Sequence, residues 1–133
     1  MKSTILTLTF VLFSFSAHAL DNCPIEFGTE DYLGKVADIA TNATSCYEAS
    51  EVVSACALGA SGDVYTVSAA IERCSKDIPE MSTKDTETYN YLGSKCNGKY
   101  DSMEGSMYRS MNAFCHLSVT KLFVDLLSKE EGN

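Results

Sequence analysis

Cysteine, histidine and carboxylate are the side chains of this chain that could do covalent, metal or acid–base chemistry. Cys23, Cys46, Cys56, Cys74, Cys96 and Cys115 are spaced too widely for any Cys-x-x-Cys unit, so neither a dithiol redox pair nor a paired-cysteine zinc site is encoded. His116 directly follows Cys115. Neighbours on a helix point about 100° apart, so these two do not form a nucleophile and its base, and a sulfur held in a disulfide is inert. No Gly-x-Ser-x-Gly elbow and no phosphate loop occurs. Acidic residues are plentiful, but a two-carboxylate glycosidase normally offers its sugar an aromatic platform, and the chain has no Trp. The expectation is a protein that is not an enzyme, with no cofactor and no metal. Its cysteines then read as a framework of three disulfides.

That framework needs an oxidising compartment, and the N-terminus supplies the route to one. Lys2, an apolar run from Ile5 to Phe15 and the small-x-small site Ala17-His18-Ala19 read as a signal peptide over residues 1–19. The remainder, 20–133, is expected to be a single helical disulfide-rich domain, periplasmic or secreted from a bacterium. The leader's apolar run is too short for the ~20 residues of a membrane span, and no later segment approaches that length. Without the leader, nine basic side chains face eighteen acidic ones, a net charge of −9. The imbalance sits in the first half, where residues 20–63 hold eight acids and only Lys35 as a base. Such a surface repels phosphate backbones, so nucleic acid is excluded as a partner, and it draws basic proteins.

The elements that position these groups read as about five short helices in an all-α, disulfide-stapled bundle. Thr29 is placed as the cap of a first helix, with Glu30 and Asp31 in its opening turn and Leu33, Val36, Ile39, Ala40 and Ala43 on one face. Ser45-x-x-Glu48 is a capping box for a second helix that ends near Gly59. Asp63 is placed as the cap of a third helix, which ends before Pro79. Ser82 or Thr83 opens a fourth, with Tyr89, Leu92, Cys96 and Tyr100 in one stripe. Residues 101–106 form an irregular connection to a long final helix.

Antiparallel geometry about a turn near residue 60 sets position 74 opposite about 47, which pairs Cys46 with Cys74. Cys56 then reaches Cys23, and Cys96 is left for Cys115. The last helix is apolar on two sides, with Met107, Met111, Phe114, Cys115, Ser118, Leu122 and Leu126 on a broad face and Leu117, Val124 and Leu127 about half a turn away. This pattern places the helix at the centre of the bundle. Homodimerisation through Leu117, Val124 and Leu127 is the alternative.

One segment stands out as a binding surface. Between Cys96 and Cys115, Tyr100, Met103, Glu104, Met107, Tyr108 and Arg109 gather contact-rich side chains around Gly105. A surrounding disulfide would hold them in shape before a partner arrives, which lowers the entropic cost of binding. The bland alternative has the methionines packed inward and Arg109 paired with a local acid.

Cys96, then Glu104-Gly-Ser-Met-Tyr108 with Met111, then Cys115-His-Leu-Ser-Val-Thr120, resembles the second half of the N-terminal domain of the lysozyme inhibitor LprI family. Cys46-x-x-Ala49 followed by Cys56-Ala57 is similar to that family's first cysteine pair, and on this resemblance Cys46 would join Cys56 instead. The family's Leu-Asn-x-x-Tyr and Gln-Arg-x-Trp segments are replaced here by Gly59-Ala-Ser-Gly-Asp63 and Tyr89-Asn-Tyr-Leu92. A weaker likeness is to small helical periplasmic immunity proteins that neutralise type VI secretion amidases. Both imply an exported protein that binds and inhibits a peptidoglycan-degrading enzyme of lysozyme type, a basic partner that Glu30, Asp31, Glu48 and Glu51 would attract. The competing expectation is a non-enzymatic envelope component or adaptor.

Overall fold

A serine at the right place starts two of the helices. The structure, a computed structural model, describes residues 22–131, so the leader lies outside the described residues. Ser45, in extended backbone, accepts a hydrogen bond from the Glu48 N–H at 3.2 Å and opens a helix at Cys46–Ala55. Ser82 does the same for Asp85 at the head of Thr83–Tyr100. Such a side-chain acceptor contributes about 1 kcal/mol by satisfying an otherwise orphaned amide. The Glu48 carboxylate completes the box one residue early, accepting from the Thr44 hydroxyl at 2.6 Å and the Thr44 N–H at 2.7 Å. The Thr44 hydroxyl, followed by its N–H, holds the Glu48 carboxyl below the usual carboxylate range.

Two expected caps do other work. Thr29 donates its hydroxyl to the Glu26 carbonyl at 2.6 Å within a tight turn two residues ahead of the residue that precedes the helix, and does not cap it. The first helix, α1, runs over Tyr32–Thr41, and Asp31 precedes it in left-handed backbone with φ 56°. After α2 (Cys46–Ala55), Asp63 is the first residue of α3 (Asp63–Ser75) and does not cap it. Its carboxylate turns back on the preceding loop, accepting from Leu58 N at 2.8 Å, Gly59 N at 2.8 Å and Ala60 N at 3.2 Å. Ser110 adds its hydroxyl at 2.6 Å, and the Asp63 side chain is only 1% exposed. A buried carboxylate persists when hydrogen bonds replace its water, and here four donors do so.

With α4 at Thr83–Tyr100 and α5 at Ser106–Glu131, the chain runs up, down, up, down, up. α3 is the hub, packing on α1, α2 and α5, while α4 packs against α5 alone. Val36, Ala40, Ala49, Val53, Val67 and Ala70 are fully enclosed where α1, α2 and α3 meet. Most of these side chains are small, which brings the helix axes close together. One end of the bundle holds the starts of α1 and α3, the end of α2 and the α4–α5 connection. At the opposite end Arg73 ties three elements. Its guanidinium donates to the Ala43 carbonyl at 2.6 Å, the Thr44 carbonyl at 2.6 Å and the Asp77 carboxylate at 2.7 Å. Asp77 in turn accepts from the Cys46 N–H at 2.7 Å. Burial pushes the Asp77 carboxyl up, but the Arg73 and Cys46 hydrogen bonds and the Arg73 charge outweigh it and leave it lowered.

All six cysteines are bonded, Cys23 to Cys56, Cys46 to Cys74 and Cys96 to Cys115. The antiparallel deduction therefore holds over the Cys46–Cys56 pairing that the family resemblance favoured. Cys46 and Cys74 sit with Cα atoms 4.2 Å apart because α2 and α3 are neighbours joined by a short turn.

The faces of α5 are the reverse of one expectation. The helix packs on α2, α3 and α4 but leaves one side open. Leu117 and Leu127 are buried and Val124 packs against the core, so the group offered for homodimerisation is already occupied within the chain. Met107, Met111, Leu122 and Leu126, 52%, 41%, 44% and 49% exposed, form an outward stripe. The inward face is set by contacts more than by apolarity. Ser110 meets Asp63 on α3, and the buried Thr120 donates to the His116 carbonyl and meets the Tyr89 hydroxyl on α4 at 2.9 Å. Phe123 closes that seam edge-on against Tyr89, with centroids 5.2 Å apart.

Candidate functional site

The α4–α5 connection is a short turn between two cross-linked helices. Asp101 N–H bonds the Asn97 carbonyl and Met103 N–H the Tyr100 carbonyl, which winds down α4. Gly105 then reverses the chain at φ +119°, a backbone that a side chain would strain, and α5 starts at Ser106. Behind this turn Cys96, about one turn from the end of α4, and Cys115, about two and a half turns into α5, fasten the helices. Asn97 Oδ1 adds a polar clamp, meeting His116 Nε2 at 2.7 Å and accepting from Asn112 Nδ2 at 3.2 Å. The tip is thus anchored by covalent and polar links on both helices.

Around it the structure gathers five of the six expected binding residues. Tyr100, Met103, Glu104, Tyr108 and Arg109 line one recess of about 480 Å³, joined by Asp101 and Asn112. Met107 does not enter it and faces outward. The Lys99 ammonium lies 5.0 Å from the centre of the Tyr100 ring, holding the ring by a cation–π contact. The inward-packing alternative for this segment does not hold. Met103, Met107 and Met111 are each more than 40% exposed, and Arg109 forms no ion pair among the described residues.

Sequence reasoning missed the rest of this surface. Tyr100, Met111, Phe114, Cys115 and Ser118 line a shallower recess of about 380 Å³ beside the first, and Leu122 and Leu126 extend the stripe along α5. The signal was present in the period of these residues, but it was assigned to the core.

The acidic residues expected to act with the tip are divided. Leu33 packs against Gly62, next to the Asp63 that Ser110 binds, so Glu30 and Asp31 belong to the end of the bundle that carries the tip. Glu48 stands at the start of α2, where the neighbouring Tyr47 ring meets Lys121 of α5 at 5.7 Å. Lys121 lies about 20 Å along α5 from Met107 at the ~1.5 Å rise of a helix. Glu48 is therefore remote from the tip.

Cys115 is consumed in its disulfide and His116 faces Asn97, so the adjacent pair makes no nucleophile and base. Among the described residues, no group of three or more His, Cys, Asp or Glu could hold a metal ion, and no helix is long and apolar enough to cross a membrane. No family model, curated protein or solved structure gives a significant match to the chain.

Proposed function

We propose that this is an exported binding protein whose α4–α5 tip docks on a basic, peptidoglycan-degrading enzyme of lysozyme type and blocks it. The observation that carries this reading is the exposure of Met103, Met107 and Met111 beside Tyr100 and Tyr108 on a disulfide-fastened tip. Methionine and tyrosine supply adaptable contact area, and a tip that is rigid before binding loses little entropy on docking. The resemblance of Glu104–Thr120 to lysozyme inhibitors supplies the class of partner. The net charge of −8 agrees with a basic one.

The length of the outward stripe favours a second reading. Leu122 and Leu126 carry exposed apolar surface well past the tip, as an envelope component or adaptor that associates along α5 would need. Cell-wall lysis by a panel of basic lysozymes and peptidoglycan amidases, measured with the oxidised protein at low and moderate salt, separates the two. The inhibitor reading expects stoichiometric, salt-weakened inhibition of one enzyme, relieved by Met107→Glu and Tyr108→Ala. Lysis unchanged across the panel, with concentration-dependent self-association in sedimentation, would replace it with the second reading.

A further inference from the structure

α3 and α4 both pack on α5 but not on each other, which leaves a cleft with α5 as its floor. The cleft is about 440 Å³, within the ~300–1,000 Å³ of ordinary small-molecule sites. Val64 and Ile71 of α3 form one wall, Tyr89 of α4 stands opposite, and Ala113 lies between them on the floor. These side chains make an apolar bed.

The polar groups there have an unusual sign for this chain. The protein carries a net charge of −8, yet no carboxylate lines the cleft, whereas the guanidinium of Arg109 and the imidazole of His116 do. His116 is already engaged. Asn97 Oδ1 accepts from Asn112 Nδ2, so it is the acceptor toward His116 as well, and the His116 Nε2 proton is spent on it. Arg109 is exposed, permanently charged and without an ion pair among the described residues. A further unmet group lines the same floor. Asn112 Oδ1 is shielded from solvent and has no hydrogen-bond partner, and its amide cannot flip without turning Oδ1 toward the acceptors of Asn97 and Asp101. Arg109 and Asn112 are three residues apart on one helix, so their side chains rise side by side. The pair offers a fork of donors for an anion and, after a small rotation of the amide, one acceptor for a donor beside that anion.

We propose that this cleft is a binding site for a small amphipathic carboxylate, such as a medium-chain fatty acid or an N-acylated apolar amino acid. The carboxylate meets Arg109, the apolar body lies against Val64, Ile71 and Ala113, and an amide N–H, where the ligand has one, reaches Asn112. The site needs no partner protein, although it shares Arg109 and Asn112 with the recess at the tip.

Titration of the ¹⁵N-labelled, oxidised protein with hexanoate, N-acetyl-leucine, hexan-1-ol and hexylammonium, followed by NMR, tests it. Both carboxylates should give saturable shifts at Ile71, Ala113 and the Arg109 side-chain N–H, with a dissociation constant on the order of 1 mM for ligands this small. Arg109→Gln, at an exposed position, should weaken them about tenfold by removing a charge-assisted bond. Ser68→Trp, on the exposed side of the α3 wall, should block entry, with helicity by circular dichroism confirming the fold. Shifts that never saturate, alcohol or ammonium binding as tightly as carboxylate, or an Arg109→Gln variant with unchanged affinity would each overturn the proposal. Arg109→Gln decides the matter even if Ser68→Trp fails to fold.

Discussion

Asp77 offers the sharpest test of how the far end of the bundle is held. Each of its oxygens has one donor, Arg73 on Oδ1 and the Cys46 N–H on Oδ2, both at 2.7 Å. Asp77→Asn keeps the shape but must aim an NH₂ group at one of these donors, so one charge-assisted bond is lost whichever way the amide turns. Such bonds contribute about 1.5–3 kcal/mol, and because the side chain is 29% exposed, solvent trims the loss to about 2 kcal/mol. For a domain near this size that lowers the melting temperature by roughly 8 °C. The pH dependence separates charge from shape. The folded carboxyl is lowered below its unfolded value of about 3.9, so its contribution is complete above about pH 5 and is lost as pH falls through the folded value. Urea unfolding of the oxidised proteins should show a gap near 2 kcal/mol at pH 7 that closes toward pH 2. Glu48, also lowered, titrates in both proteins and cancels from the difference. A gap of equal size at both pH values would refute the electrostatic account and leave a steric one.

Other substitutions probe the remaining joints. Asp63→Ala strands the Leu58, Gly59 and Ala60 amides and should cost on the order of 3 kcal/mol, with faster hydrogen exchange at those three amides; slow exchange there would dismiss the cradle. Replacing Cys96 and Cys115 together by Ser opens a 19-residue separation and should cost about 3 kcal/mol in chemical unfolding, with new proteolytic cleavage near residues 101–105. Leu117→Ala should destabilise by about 2–5 kcal/mol and Leu126→Ala by under ~0.5 kcal/mol in thermal melts, and equal losses would contradict the assignment of the α5 faces.

Much of the frame was legible because it depends on local chemistry. Ser45 and Ser82 announce their helices through hydroxyls that reach amides three residues on. Cys46 and Cys74 could be paired because a short turn makes α2 and α3 antiparallel neighbours. Thr29 and Asp63 were misread because a capping residue type also suits a turn, and only the three-dimensional surroundings choose between them. Asp63 is held by a loop behind it and by Ser110, 47 residues away, a contact that no local pattern encodes. The faces of α5 failed for a related reason. Its buried side includes the polar Ser110 and Thr120, satisfied by Asp63 and Tyr89, while its exposed side holds methionine and leucine. Apolarity alone therefore did not show which side of the helix is left open. The clustering of the tip residues was legible because their types and the flanking cysteines mark a constrained turn, whereas the cleft between α3 and α4 depends on two helices that do not touch.

The division of the acidic residues gives the docking proposal a spatial test. An exposed charge acts over about 8 Å at physiological ionic strength, so Glu48, remote from the tip, contributes little to an encounter there. On the docking proposal Glu30 and Asp31, at the same end of the bundle as Ser110 and the tip, are expected to contribute more. If the tip docks on a basic hydrolase, Glu30→Gln with Asp31→Asn should slow association roughly threefold, while Glu48→Gln should leave the rate unchanged once its fold is verified. Asn suits the left-handed backbone of residue 31, so the paired variant should keep its helix. Stopped-flow or interferometric association rates at low salt read this directly. Equal slowing by the two variants would mean that the enzyme approaches a different face, and the tip would lose its place as the docking surface.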